Sequence, residues 1–313
     1  MLKFVAGLAV AAALASPALA DPPAPVTDLG PGMVGVYYPP PERGGPVVLV
    51  LGGSEGGFAG SGALARNLAA QGYGALAIAY FGSPGLPALL EDIPLETFTR
   101  GVDWLEARPE VAGRRIGLVG VSKGGEAALL VASTDRRVCA VIAAVPSSVA
   151  WAGVNPANFM SGKPSWTRGG QPVPFARYDF SKPAGGVRGF YEGGLAKAPP
   201  ESVIPVERIA GPVLLVSGRD DRLWPSTPMA DQVMARLDAT KFRYAHVHLA
   251  YDGAGHAAFG KPRADTDPPP NPAIFSQTGG TPEGTQAARR DNWPKALAFL
   301  GDNLSGKGCA PLR

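Results

Sequence analysis

Residues 117–130 read GLVGVSKGGEAALL, and their one serine, Ser122, stands two positions from Gly120 and two from Gly124, where an apolar run passes into an alanine- and leucine-rich one. A serine hydroxyl is a weak nucleophile until a base takes its proton, so covalent chemistry here requires a histidine, and an acid to orient that histidine. The chain has three histidines. His246 and His248 lie two apart in RYAHVHLAY, on one face of a predicted strand; with no third ligand nearby they read as a half-buried pair and not as a metal site. His256 follows Tyr251-Asp252-Gly253-Ala254-Gly255, a glycine-bearing loop after that strand, and is the candidate general base. For the acid, VLLVSGRDDRLWP at 213–225 offers two neighbours. Asp221, four residues before Pro225, is the expected acid, and Asp220 reads as a turn or surface residue.

These side chains act together only if strands and helices deliver them to one place. Gly120-Val121-Ser122-Lys123-Gly124 matches Gly-x-Ser-x-Gly, which needs a strand before it and a helix after it. RIGLVG at 115–120 supplies the strand, and a helix is expected from about Gly124. Glycines at those positions relieve the crowding of a tight strand-to-helix turn, and the helix directs its positive end at a forming oxyanion. The N–H of Lys123 is the expected first oxyanion donor. The second is expected from the loop Gly52-Gly53-Ser54-Glu55-Gly56-Gly57 after the strand PVVLVL, with the N–H of Ser54 favoured and Gly53 and Glu55 as neighbours able to share the task. That loop meets neither Gly-rich nucleotide-binding pattern. The Lys123 side chain is expected to be solvated.

Apolar runs alternate with amphipathic segments from residue 46 to residue 304, which predicts helices packed on a mostly parallel, doubly wound sheet. The strands are expected at 46–51, 73–80, 115–120, 137–145, 212–218 and 243–251; helices at 62–71, at 95–108 with Phe98, Val102 and Leu105 on one face, and at 292–304. The chain order Ser122, Asp221, His256 is that of the α/β-hydrolase fold. One block breaks the rhythm: around 150–203 the chain is rich in Gly, Pro and aromatics, among them Trp151, Phe159, Trp166, Phe175, Tyr178 and Tyr191. It reads as an irregular, lid-like insertion, with Trp151 and Trp166 expected to contact the substrate.

Composition sets the class. The 313 residues are 45% hydrophobic and 18% charged, enough for one large α/β domain. MLKFVAGLAVAAALASPALA at 1–20 has the layout of a cleaved signal peptide, which implies a secreted or periplasmic protein. The expected organisation is a signal at 1–20, a flexible N-terminal segment at 21–45, a catalytic domain at 46–305 and a tail at 306–313. Removing Lys3 takes the 29 basic residues to 28 against 26 acidic ones, too even a balance to suggest nucleic acid or membrane as partner. The expected partner is a small-molecule ester or thioester, with no cofactor and no metal. Cys139 reads as a small core residue and Cys309 lies in the tail; a disulfide between them is open.

The stretches VVLVLGGSEGG, GYGALAIAYFGSPGLPALLEDIPLETF, IGLVGVSKGGEAALLVAS, VIPVERIAGPVLLVSGRDDRLWPS, YDGAGH and GGTPEGTQAARRDNWPKALAFL resemble, in the same order, the catalytic domain of the acyl-CoA thioesterase and bile acid-CoA:amino acid N-acyltransferase family. The resemblance implies an α/β-hydrolase fold related to the dienelactone hydrolases and a triad on Ser122, Asp221 and His256. The family's acyltransferase branch places cysteine at the nucleophile and its thioesterase branch serine, so Ser122 implies transfer of the acyl group to water. Animal members carry a β-sandwich before this domain, for which 21–45 leaves no space. The competing readings are a dienelactone-hydrolase-like enzyme, an acyltransferase, and a non-catalytic binding protein on the same scaffold.

Overall fold

The runs VVLVL, GALAIA, VCAVIAA and VLLVSG carry no polar alternation, the pattern of strands covered on both faces. In the computed structural model, which describes residues 24–305 apart from 112, 114, 156, 158–161 and 182–184, every residue of these four strands is buried. The expected signal peptide, the tail at 306–313, Phe159 and Cys309 lie outside the described residues.

In chain order the elements begin with β1 (Val34–Tyr38), β2 (Val47–Leu51), α1 (Ala59–Ala69), β3 (Gly74–Ala79), β4 (Ile93–Pro94), α2 (Glu96–Glu106), β5 (Ile116–Val121), α3 (Lys123–Ala132) and β6 (Val138–Ala144). They continue with β7 (Trp166–Arg168), β8 (Gln171–Pro172), α4 (Gly186–Leu195), β9 (Val213–Gly218), α5 (Ser226–Ala239), β10 (His246–Tyr251), α6 (Pro272–Thr278) and α7 (Pro282–Leu304). Among the described residues, seven strands pair in the order β1-β3-β2-β5-β6-β9-β10, parallel throughout except that β1 runs antiparallel to β3. The connections between parallel strands carry helices, so loops that follow strands gather at one edge, the carboxyl edge, where open α/β sheets bind ligands. Phe98, Val102 and Leu105 of α2 are buried in the core with Leu49 and Ile78.

Three expectations change. The segment at 21–45 is not wholly flexible: VGVYY forms the edge strand β1, tied down by the buried Tyr37, whose ring meets Trp104 edge-on at 5.0 Å and whose hydroxyl donates to Glu110 at 3.3 Å. The closing helix starts ten residues before the expected 292, at Pro282. Its start signal is a Thr281 cap, accepting the Gly284 N–H at 3.0 Å, followed by proline at the first turn, but Gly284 and the interior Pro294 obscure the helical pattern. The 150–203 block is an excursion, yet a packed one. Trp166 belongs to β7, paired with β4, and is buried against Tyr80 and Phe98; Trp151 is buried with Tyr178, Tyr191, Trp224 and Met229. Cys139, in β6, is disulfide-bonded, its partner lying outside the described residues.

If β1 is an integral strand, truncating its buried ring opens a cavity at the sheet edge. Tyr37→Ala is expected to lower the unfolding free energy by about 3–5 kcal/mol in a urea titration, whereas a flexible leader would lose less than about 1 kcal/mol.

Candidate active site

Strand β5 delivers Ser122 to the carboxyl edge and α3 begins at the next residue. The serine holds φ 58° and ψ −122°, a region that costs a side-chain-bearing residue about 1–3 kcal/mol. Its N–H donates to the Ala144 carbonyl at 2.9 Å and its carbonyl accepts the Glu126 N–H at 3.0 Å, so the turn is held from both sides. Both motif glycines are sterically required. A Cβ on Gly120 would stand 2.1 Å from the Gly124 oxygen, and one on Gly124 would stand 2.2 Å from the Gly52 oxygen. The first N–H groups of α3, Lys123 foremost, have no acceptor inside the helix and form its positive end.

His256 stands beyond β10 and Asp221 beyond β9; the histidine reaches the serine, and the aspartate reaches the histidine. His256 Nε2 lies 2.8 Å from Ser122 Oγ, and His256 Nδ1 lies 2.8 Å from Asp221 Oδ2. Because a carboxylate only accepts, the proton between ring and acid is assigned to Nδ1, which leaves Nε2 to accept from the serine hydroxyl. Asp221 is buried, and its oxygens also accept the Ser226 hydroxyl at 2.6 Å and the N–H groups of Leu223 and Trp224 at 2.9 and 3.3 Å. Arg188, from α4, donates to the Asp221 carbonyl at 2.6 Å. Asp220 is exposed. The two loops lean on a third through glycine backbone. A Cβ on Gly218 would meet the Ala254 oxygen at 2.3 Å, and one on Gly255 would meet the Gly279 oxygen at 2.2 Å. The His256 N–H donates to the Thr278 carbonyl at 2.8 Å.

The loop 52–57 lies against Ser122: a Cβ on Gly53 would be 3.2 Å from Ser122 Cβ. Buried Tyr80 gives its hydroxyl to the carbonyls of Gly52 and Gly53, each at 2.7 Å, and burial pushes that hydroxyl well above the usual tyrosine range, so it stays a donor. In a planar trans peptide the following N–H points the other way, so the N–H groups of Gly53 and Ser54 face away from Tyr80. Tyr80 is an anchor that sequence reasoning missed; only its place at the end of an apolar strand marks it.

Two expectations fail here. The Lys123 side chain is not solvated: it is buried, 2.8 Å from Glu126 Oε2. Glu126 is the second missed residue. Its other oxygen accepts the Trp151 backbone N–H at 2.8 Å and the Trp166 indole N–H at 2.6 Å. Burial raises the Glu126 carboxyl and lowers the Lys123 ammonium, each effect opposed by the other's charge. Trp151 and Trp166, expected to contact the substrate, have no exposed surface: the Trp166 indole and the Trp151 backbone serve this buried carboxylate, and the Trp151 indole N–H donates to Ser147 Oγ at 2.8 Å, so each ring buries its apolar area with its N–H satisfied. A lysine and a glutamate three apart in an otherwise uncharged helix, KGGEAALLVA, were the available signal. His246 and His248 are half-buried two apart on β10, as expected, and bond Asp238 and Asp231 of α5 at 2.8 and 3.0 Å.

A parallel sheet with a serine on a strained strand-to-helix turn, and its histidine and acid on later strand ends, defines the α/β-hydrolase class. Solved structures agree on the fold. A puromycin-hydrolyzing peptidase of Mycobacterium tuberculosis is similar with a TM-score of 0.54 and 17% identity, covering 90% of this chain and 39% of that one. The esterase Pf2001 of Pyrococcus furiosus is similar with a TM-score of 0.51 and 16% identity, covering 87% and 88%. The family is narrower. The profile described as BAAT / Acyl-CoA thioester hydrolase C terminal matches residues 93–306, and the chain belongs to that family. It is 30% identical over 291 residues to human acyl-coenzyme A thioesterase 6, covering 89% of this chain and 65% of that protein. It is also 30% identical over 282 residues to mouse mitochondrial acyl-coenzyme A thioesterase 2, covering 86% and 58%. The chain therefore spans about three fifths of the length of these relatives.

Removing one member of a buried ion pair strands the other. Glu126→Leu is expected to cost about 3–5 kcal/mol in chemical denaturation, and Lys123→Met combined with Glu126→Leu is expected to cost less than Glu126→Leu alone. A double variant no more stable than Glu126→Leu would show that the indole and backbone bonds, and not the charge pair, carry the effect.

Proposed function

We propose that this chain is a serine hydrolase that cleaves a carboxylic ester or thioester through an acyl-enzyme. The observation that carries the reading is the hydrogen-bonded line from Ser122 Oγ to His256 to Asp221, at 2.8 Å in both links, built on a turn that holds the serine at positive φ. In this reading the Ser122 oxygen attacks the carbonyl carbon while its proton passes to His256 Nε2. The tetrahedral oxyanion is met by the N–H groups of Lys123 and Ser54. Collapse breaks the bond to the leaving oxygen or sulfur, which takes the proton from His256. Water then repeats the sequence: His256 accepts its proton, its oxygen attacks the acyl carbon, and Ser122 regains a proton as the acid leaves. Asp221 keeps the ring in the required tautomer throughout.

The thioester side of the reading is supported by family membership and by relatives that are acyl-coenzyme A thioesterases. Hydrolysis rather than transfer is favoured by the serine at position 122, since an oxygen ester is readily cleared by activated water. Export to a secreted or periplasmic location is supported by the signal-like pattern at 1–20 and by the disulfide at Cys139, a bond that persists in oxidising compartments.

A fluorophosphonate probe is expected to label the purified protein at Ser122, and absence of label on folded protein would favour a non-catalytic scaffold. With p-nitrophenyl acetate or butyrate, Ser122→Ala and His256→Ala are each expected to lower kcat/KM about ten-thousand-fold or more without altering the thermal transition. Asp221→Asn is expected to lower it by orders of magnitude, and Asp220→Asn about twofold at most. The reverse ranking would reassign the acid.

Transfer is tested separately. When an acyl thioester is supplied with glycine or taurine in excess, mass spectrometry is expected to find free acid as the main product. A dominant amide would point to an acyltransferase.

A further inference from the structure

Beside the His256 loop lies a cavity of about 740 Å³, walled by the segment after that loop, by α6 and by the first turns of α7. Arg263, Arg289 and Arg290 line it, with Thr285 in the same wall and Ile274 and Phe275 on its apolar side. The arginines are brought together by a specific clamp. The Gln286 side chain accepts the Arg263 backbone N–H at 3.1 Å and donates to the Arg263 carbonyl at 2.8 Å. Arg289 and Arg290 follow Gln286 by three and four residues, on the same side of α7. Arg289 Nε donates to the carbonyl of Ala257, the residue after His256, at 3.0 Å, which ties this wall to the proposed active site.

Charges in this wall are not balanced pair by pair. Of the three carboxylates in the lining, Asp265 faces Arg290 at 3.5 Å, Asp267 accepts the Ala264 N–H at 2.8 Å, and Glu283 is exposed at the start of α7. Among the described residues neither Arg263 nor Arg289 has a carboxylate partner, and the Arg263 guanidinium makes no hydrogen bond. Both are half-buried. Burial, and after it the like charge of Arg263, lower the pKa of the Arg289 guanidinium. Thr285, buried, has a hydroxyl without a hydrogen-bond partner. Two guanidiniums at one half-buried wall repel each other unless an anion is shared between them, and their planar donor forks match carboxylate and phosphate oxygens.

We infer that this cavity binds an oxyanion, a carboxylate or a phosphate, through Arg263 and Arg289. The anion arrives either free or as part of the substrate; only the second case rests on the hydrolase reading above.

Two measurements test this. Inorganic phosphate and succinate are titrated calorimetrically, at constant ionic strength, into the full chain and into Arg263→Gln, a substitution that removes no native side-chain bond. Arg289→Lys, which keeps the charge and loses the fork, serves as the second variant. Saturable binding by the unsubstituted chain is expected, about tenfold weaker in Arg263→Gln. Hydrolysis is then followed for two esters that differ only in a terminal carboxylate. If the anion is carried by the substrate, Arg263→Gln raises KM for the charged ester about tenfold more than for the neutral one. Equal KM changes together with weakened phosphate binding assign the cavity to a free anion. Absence of saturable binding in the unsubstituted chain, or equal binding by Arg263→Gln, would overturn the inference. Because the titration needs no turnover, its outcome stands even if neither ester is hydrolysed.

Discussion

The structure turns on a contact between two stretches of bare backbone. The Gly124 position and the Gly52 carbonyl approach so closely that no side chain fits between them, and this contact sets the Ser122 turn directly against the loop proposed to hold the oxyanion. Ser122 at φ 58° is strained, so the turn persists only where its surroundings over-determine it. Four restraints do so: the bond to Ala144, the bond from Glu126, the packed glycines, and Tyr80 pinning the carbonyls of Gly52 and Gly53. A second strained residue, Val145 at φ 41°, stands at the same edge, its carbonyl accepting the Trp224 indole at 3.1 Å.

Behind the turn, Glu126 joins three pieces of chain. One carboxylate receives Lys123 from its own helix and two N–H donors from the excursion, all of them buried. Such a group is costly to bury, and the cost is offset only while every donor is present, so it enforces one arrangement of helix and excursion. Tryptophans that look like a lid over substrate in the sequence are, in the fold, part of the support of the helix that follows Ser122.

On the other side of the serine, Asp221 and His256 ride on loops held by long-range backbone contacts, among them the His256 N–H on the Thr278 carbonyl. Their precision comes from glycines at 218, 255 and 279, which let three backbone segments touch, and from the Arg188 bond that links α4 to the Asp221 carbonyl. Ring contacts continue this support, with Tyr191 meeting Trp224 edge-on at 5.4 Å and Trp224 meeting His256 edge-on at 5.8 Å. The excursion thus braces both halves of the site, and the same histidine loop borders the arginine-lined cavity.

Much of this was legible in order and spacing. Unbroken apolar runs announced the buried parallel strands, because a strand covered on both faces has no reason to alternate, and the glycine-flanked serine declared its turn because only small neighbours fit there. Asp221, His256 and Ser122 could be nominated since each follows a strand, and strand ends converge in this topology. Local pattern could not say what lies on the far side of a residue. Whether Lys123 meets water or Glu126, whether Trp151 and Trp166 meet a substrate or a carboxylate, and whether 34–38 dangles or closes the sheet edge all depend on segments far apart in the chain. Those outcomes were decided by the tertiary structure, because burial and pairing belong to contacts between distant segments, while period, turn strain and strand order are written in neighbouring residues.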